Sequence, residues 1–374
     1  MRLAEAADLE TWDARAVDGP GGHVYQSRAW ARHRARFGWE PRFAVLDDGF
    51  PVLALTRRWR LVPGGSAYVS RGPVPDGAAE ATAARLLTLT AWLGGEGIDV
   101  VAADPEVAGE SSFASLVRAG GFRQIEELQA SRHRMDVALP ASGDEEGLLK
   151  SFSATTRNLI RQGERQSLLV RLLDRRTGEA APVAAPMVAT AADATPEPLP
   201  PIDPGAEAQA IDRLYGLLVD TARRRGFWLA DRATFRSWTT EALEAGHLFA
   251  LLVEDPEGEL LAGATFYRHG DRLTYALSGE HASARKDHPG ATRLMLWQAM
   301  RIAMAERRAI MDLGGVDVRG ARRRPRPEEP EHGMLTFKES FGATWVELAG
   351  AHERVIRPAR YAAGRAMTRL LGGR

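Results

Sequence analysis

The chain contains no cysteine in its 374 residues. That absence excludes a disulfide framework, a thiolate zinc site and a cysteine nucleophile. Long apolar runs are missing as well: no stretch approaches the about 20 residues needed to cross a bilayer. The opening MRLAEAADLETWDARAVDGP lacks the basic-then-apolar layout of a secretory signal, so a cytoplasmic location is expected. Nor is there an excess of charge. The net charge is zero and the sequence pI about 7.2, so bulk electrostatics do not mark a nucleic-acid binder. Of the nine histidines, His281, His288 and His332 fall in predicted loops without ligand spacing, and no metal site is expected.

What is present suits a soluble globular protein. Hydrophobic residues make up 44% and charged residues 26%, and the length allows two cores. Arginines cluster at Arg57, Arg58 and Arg60, at Arg223 to Arg225, and at Arg322 to Arg324 with Arg326. Such clusters are ordinarily solvated surface, and they leave room for a phosphate-rich partner. Residues 177–208, TGEAAPVAAPMVATAADATPEPLPPIDPGAEA, offer little to bury and read as a flexible insertion.

On either side of that insertion one order of signals appears twice. PRFAVLDDGFPVLALTRR gives two β-rich runs about a turn at Asp47, Asp48 and Gly49, and HLFALLVEDPEGELLAGATFYR gives two more about Asp255 to Gly258. Each predicted hairpin is followed by a strand, AYVS or LTYALS. Then comes a helix, AAEATAARLLTLTAWLGGEG or PGATRLMLWQAMRIAMAERR, and an apolar run, IDVVAA or AIMDLGG. Pro289 suits a first helical position, and Leu296, Met300 and Met304 share one face. A block of hairpin, strand, helix and strand is therefore repeated.

The copies also end alike. SLVRAGGFRQIEE and TFKESFGATWVEL align without a gap, so that Gly121 meets Gly342, Ile125 meets Val346 and Glu126 meets Glu347. Phe337, Phe341 and Trp345 recur at helical spacing until Gly342 supplies a stop, after which Thr344, Trp345 and Val346 suit a strand. In this register Val117 of the first copy faces Lys338 of the second. A lone lysine is ordinarily a solvated charge or a stem lying along apolar surface. A duplicated scaffold that keeps an apolar residue in one copy and a lysine in the other makes Lys338 a functional candidate.

The repeated block resembles the acyltransferase fold of the GCN5-related N-acetyltransferases (GNAT), present twice. Tandem copies are the architecture of the Fem-type aminoacyltransferases, which the chain resembles through VYQSRAWARHRARFGWEP, YVSRGPVPD, RNLIRQGER, LMLWQAM, MDLGGV and FKESFG, in family order along nearly its whole length. The resemblance implies an α/β fold with mixed sheets, in the compact form without a coiled-coil arm. It implies a first domain over 1–146 completed by 350–374, and a second over 147–349 carrying the insertion at 177–208. It implies an enzyme that moves an amino acid from aminoacyl-tRNA to an amine of the stem peptide of a peptidoglycan precursor, nucleotide-linked (UDP-MurNAc-pentapeptide) or lipid-linked (lipid II). No cofactor besides the tRNA co-substrate is implied. A peripheral contact with the inner membrane face accompanies the lipid-linked case.

The resemblance also assigns site residues. Lys338 with Phe337 matches the Phe-Lys pair of the family, a point charge near the ester or its adjacent phosphate. Arg34 falls where the family has a basic residue in the first helix, and Arg223 or Arg225 where it has an arginine near a Gly-Phe pair. These would meet the pyrophosphate of the precursor. Arg71 and Asp76 bracket the RGPVPD loop, with Asp76 in reach of a substrate amine or capping the next helix. Tyr275 lines a peptide channel or packs. Asp312, Gly314 and Gly315 read as a capped turn.

Three other readings compete. An acyl-CoA-dependent N-acyltransferase wants a pyrophosphate cradle, whose letters Arg175, Gly178 and Ala180 supply without the following helix. A small-molecule amine acceptor keeps the tRNA donor, as in natural-product assembly. A silent scaffold would bind a wall precursor or a partner protein without chemistry.

Overall fold

The computed structural model describes residues 1–129, 132–176, 204–316, 318 and 323–370. The chain divides into two units, one formed by Met1–Arg134 with Val346–Arg374 and the other by Met135–Trp345.

The first unit is built on a seven-stranded mixed sheet. Its strands are β1 (Arg2–Leu3), β2 (Glu40–Val45), β3 (Pro51–Arg58), β4 (Gly65–Val69), β5 (Val100–Ala103), β6 (Arg123–Gln124) and β14 (His352–Val355), in the order β1-β2-β3-β4-β5-β14-β6. The hairpin β2–β3 pairs Glu40 with Thr56 and Val45 with Pro51, closed by Gly49 at φ +79°. β4 and β5 run parallel, which requires a crossover. Helix Ala79–Gly95 supplies it and buries Leu86, Leu89 and Leu93 against the sheet.

The second unit repeats the plan with β7 (His133–Ala138), β8 (Leu169–Leu173), β9 (Leu248–Glu254), β10 (Leu260–His269), β11 (Arg272–Glu280), β12 (Ile310–Asp312) and β13 (Thr344–Glu347). The order from the far edge is β8-β9-β10-β11-β12-β7-β13. β9 is buried at every position, because helices cover both faces of the sheet. Leu217 of helix Pro204–Arg225 presses on Gly263 and Gly279 on one face. Helix Ala291–Ala305, the crossover between parallel β11 and β12, packs the other into a core with Phe249, Phe266 and Met311.

Both sheets are mixed and both units follow the repeat read from the sequence. The division falls at 134/135 and 345/346 instead of the expected 146/147 and 349/350. The reason is that β7 already belongs to the second sheet, pairing Ala138 with Ile310 and Asp136 with Asp312. The insertion is also shorter than expected at its C-terminal end: a helix starts at Pro204, and Glu207 is buried there against Arg175. Residues 177–203 lie outside the described part.

The two copies end in the same turn. Helix Phe113–Ala119 gives way to Gly121 at φ +86°, and helix His332–Glu339 to Gly342 at φ +75°. Gly121 N donates to Arg118 O and Gly342 N to Glu339 O, each at 2.9 Å. These are equivalent bonds in the gapless register, and in that register Val117 and Lys338 both point inward, 0% and 5% exposed.

Candidate functional site

Lys338 lies in the last turn of helix His332–Glu339, where a cation also suits the helix dipole. A buried ammonium is costly unless its hydrogens are met. Here Nζ donates to the carbonyls of Gly314 at 2.8 Å and Gly315 at 2.7 Å, in the loop that follows β12. Asp312 braces the same loop from inside: its Oδ1 accepts from Gly314 N at 2.7 Å, and its Oδ2 from Thr274 Oγ1 at 3.3 Å. Gly314 takes φ +74°, and a Cβ there would stand 3.4 Å from the Tyr275 carbonyl and 3.6 Å from Lys338 Nζ. The capped turn expected at Asp312, Gly314 and Gly315 is present, and Lys338 is one of its braces.

Phe337 is half-buried. Its ring meets Phe341 edge-on with centroids 5.5 Å apart, and the Arg293 guanidinium carbon sits 5.0 Å over it. Tyr275 packs on Phe266 from β11. Burial pushes its phenol up to about 12, with the Ser278 hydrogen bond and the Arg225 charge opposing the rise and Glu280 adding to it. The Tyr275 carbonyl borders Gly314, so Tyr275 and Lys338 flank the same glycine, while the Arg225 charge is felt at the Tyr275 phenol. Arg223 stands apart, exposed and 3.8 Å from Asp220. Beyond Arg225, Gly226 turns the chain at φ +72° and Phe227 and Trp228 are exposed.

In the first unit, Arg34 is sandwiched between Trp30 at 5.3 Å and Trp39 at 5.2 Å. Its Nε is buried without a hydrogen-bond partner, and burial pulls the guanidinium below its ordinary range. Tyr68 feels both Arg34 and Arg71. Arg71 adopts φ +50°. Its N–H donates to Asp104 Oδ1 at 2.7 Å, and its Nε lies 3.8 Å from Glu106. Against the desolvation that lowers it, Asp104 and Glu106 raise the Arg71 guanidinium. Asp76 belongs to a different cluster, 2.8 Å from Arg85. It does not cap the following helix, whose N-cap Ala78 has no side-chain bond.

Two groups went unnoticed in the sequence. Asp104 is 1% exposed, and burial pushes its carboxyl up to about 6 although Arg71 and the Tyr68 hydroxyl, 2.8 Å away, draw it down. Its available signal was position: it follows β5 as Asp312 ends β12. Arg293, in the first turn of helix Ala291–Ala305, had no signal, since nothing in the sequence tells a half-buried arginine without an ion pair from a solvated one. Arg175, read as part of an acyl-CoA cradle, is instead paired with Glu207 and Glu244; Gly178 and Ala180 lie outside the described residues. Among the described residues no group of side chains is arranged to hold a metal.

A family model described as an acetyltransferase (GNAT) domain matches residues 201–323. No curated protein matches the sequence. Among solved structures, FemX is similar at 18% identity and a TM-score of 0.73, over 97% of this chain and 99% of that one. L-PGS from Bacillus licheniformis is similar at 13% identity and a TM-score of 0.51, over 98% and 97%. A C-terminal domain assigned to a lysylphosphatidylglycerol synthetase of Agrobacterium fabrum is similar at 14% and 0.51, over 98% and 97%. Two GNAT-like units in tandem, a fold similar to that of FemX, make up this chain.

Proposed function

We propose that the chain is an aminoacyltransferase that carries an amino acid from aminoacyl-tRNA to an amine of the peptidoglycan stem peptide. The GNAT model and the FemX-like fold support a transferase of this architecture. The observation that carries the finer reading is Lys338: a buried ammonium fixed on the Gly314–Gly315 carbonyls, beside Phe337, at the position where the first copy keeps Val117.

The chemistry asks little else. The acceptor amine attacks the ester carbonyl, a C–N bond forms and the ester C–O bond breaks. The proton lost by the amine ends on the departing ribose hydroxyl. Because the ester is already activated, orientation and a positive charge near the developing oxyanion or the neighbouring phosphate suffice. Arg34 and Arg225 are the proposed contacts to the precursor's pyrophosphate, with Arg223 as the outlying alternative, and Arg71, Asp76 and Tyr275 as further contacts to the acceptor. No cofactor beyond the charged tRNA is required, and the site of action is the cytoplasm, at the membrane's inner face if the acceptor is lipid-linked.

At the start of helix Ala291–Ala305 a Cβ on Gly290 would stand 2.2 Å from the carbonyl of Leu159, so helix Ala154–Arg165 covers that side of the turn. The test is incorporation of labelled amino acids from charged tRNA into precursor pentapeptide, with and without ribonuclease, beside acetyl-CoA turnover. Ribonuclease-sensitive labelling is the expected result. CoA release without labelling would overturn the proposal.

A further inference from the structure

In the second unit a cleft of about 550 Å³ opens beside Phe337. Ser153 and Thr155 line it from the start of helix Ala154–Arg165, Thr336 and Phe337 from helix His332–Glu339, and Arg293 from helix Ala291–Ala305. Arg293 is its cationic member. Two other arginines of this unit meet carboxylates, Arg268 with Asp174 and Glu306 and Arg175 with Glu207, and Arg157 meets the carbonyls of Lys150 and Phe152. Arg293 has no ion pair among the described residues, and its Nε is buried without a hydrogen-bond partner. Burial lowers its hold on the proton, and Glu280, the one carboxylate that acts on it, works the other way. The cleft's own carboxylate, Glu339, is taken by Arg324. A desolvated cation of this kind is stabilised by an incoming anion.

We infer that this cleft binds a phosphate ester, with Arg293 as the countercharge and Phe337 as an aromatic wall. The guanidinium fork matches two phosphate oxygens, the hydroxyls of Thr155 and Thr336 supply donors, and the Phe337 face suits a base or sugar attached to the phosphate. The phosphate belongs either to the terminal nucleotides of an RNA or to a nucleotide diphosphate. The inference rests on the reading of Phe337 and Lys338 as the place where the donor is handled, but it is tested by binding and not by turnover.

Full-length protein is titrated by fluorescence anisotropy with a CCA-ended RNA hairpin, and by competition with UDP-MurNAc-pentapeptide. Wild type is compared with Arg293→Ala and Arg293→Lys, with urea midpoints as the folding control. For Arg293→Ala the expected result is about tenfold weaker RNA binding, partial recovery in Arg293→Lys, and a logarithmic salt slope reduced by about one. A loss confined to the nucleotide precursor also supports a phosphate site and assigns its source. Unchanged affinity and salt slope for both probes in the two variants, or no binding of either probe by wild type, overturns the inference. Phosphate binding through Arg293 in a protein that transfers no amino acid would instead sink the proposed function and leave the cleft standing.

Discussion

At the scale of single residues, the chain uses arginine for nearly all its positive charge. Only Lys150, Lys286 and Lys338 of its 49 cationic residues are lysine, and Lys338 is the one buried on backbone carbonyls. Arginine's planar fork does not reproduce a compact ammonium held between two carbonyls. Lys338→Arg is therefore expected to lose transfer activity nearly as fully as Lys338→Ala, by about 10²–10³ in kcat if the charge serves the oxyanion. Single-turnover kinetics with charged tRNA measure it. Two buried titrating groups give the first unit opposed pH responses. Burial, with Arg34 and Arg36, lowers His33 to about 4. Between pH 6.5 and 4 the unfolded chain takes up a proton that the folded one refuses, so stability falls as pH falls, by about 2 kcal/mol at pH 5. Asp104 is raised to about 6, so its contribution is fully present below about pH 4 and is lost as pH climbs through 6. Urea midpoints of His33→Gln and Asp104→Asn across pH 4.5–7 are expected to shift with opposite slopes relative to wild type. Equal slopes would show that neither group is held in the state described.

Among the elements, the glycines that close helices were legible because φ near +80° admits little else. Gly342 was read as a stop and is one. Hairpins and crossover helices were legible for a similar reason, since period, turn residues and length all agree locally. What was not legible is contact between distant segments. β14 reads only HERV, too short to signal a strand, and it pairs with β5 and β6 more than two hundred residues away. The resemblance, not the pattern, anticipated that the chain's last segment returns. Gly290 and Gly163 are a second case: one carries no turn signal as an N-cap, the other sits inside a helix, and together they let helices Ala154–Arg165 and Ala291–Ala305 touch. Gly290→Ala would drive a methyl into the Leu159 carbonyl, and a loss of about 1–3 kcal/mol in urea unfolding is expected. Gly49→Ala serves as the comparison, since it meets no neighbouring atom and loses only the left-handed preference.

For the whole molecule, two like units are assembled from an unlike threading of the chain. The second is continuous, while the first needs residues from both ends. In each sheet the sixth strand carries the unit's edge strand: β7 joins β12 to β13, and β14 joins β5 to β6. A chain ending at Leu348 would keep β13 whole but lack β14 and its buried neighbours Ala349 and Ala351, and with them the clasp of Arg357 on the carbonyls of Ile98 and Gly94. Such a chain is expected to keep the urea transition of the second unit and lose that of the first; a single unaltered transition would contradict this. The same threading bears on biosynthesis. When Arg134 clears the ribosome, β5 and β6 still have an unfilled slot between them, and more than two hundred codons remain before His352. At about 5–20 residues per second, the nascent first unit waits for roughly 10 to 45 s with two open strand edges. Of the two units, the one begun first is the last to be finished, and its exposure to chaperones and proteases is set by the length of the unit translated in between.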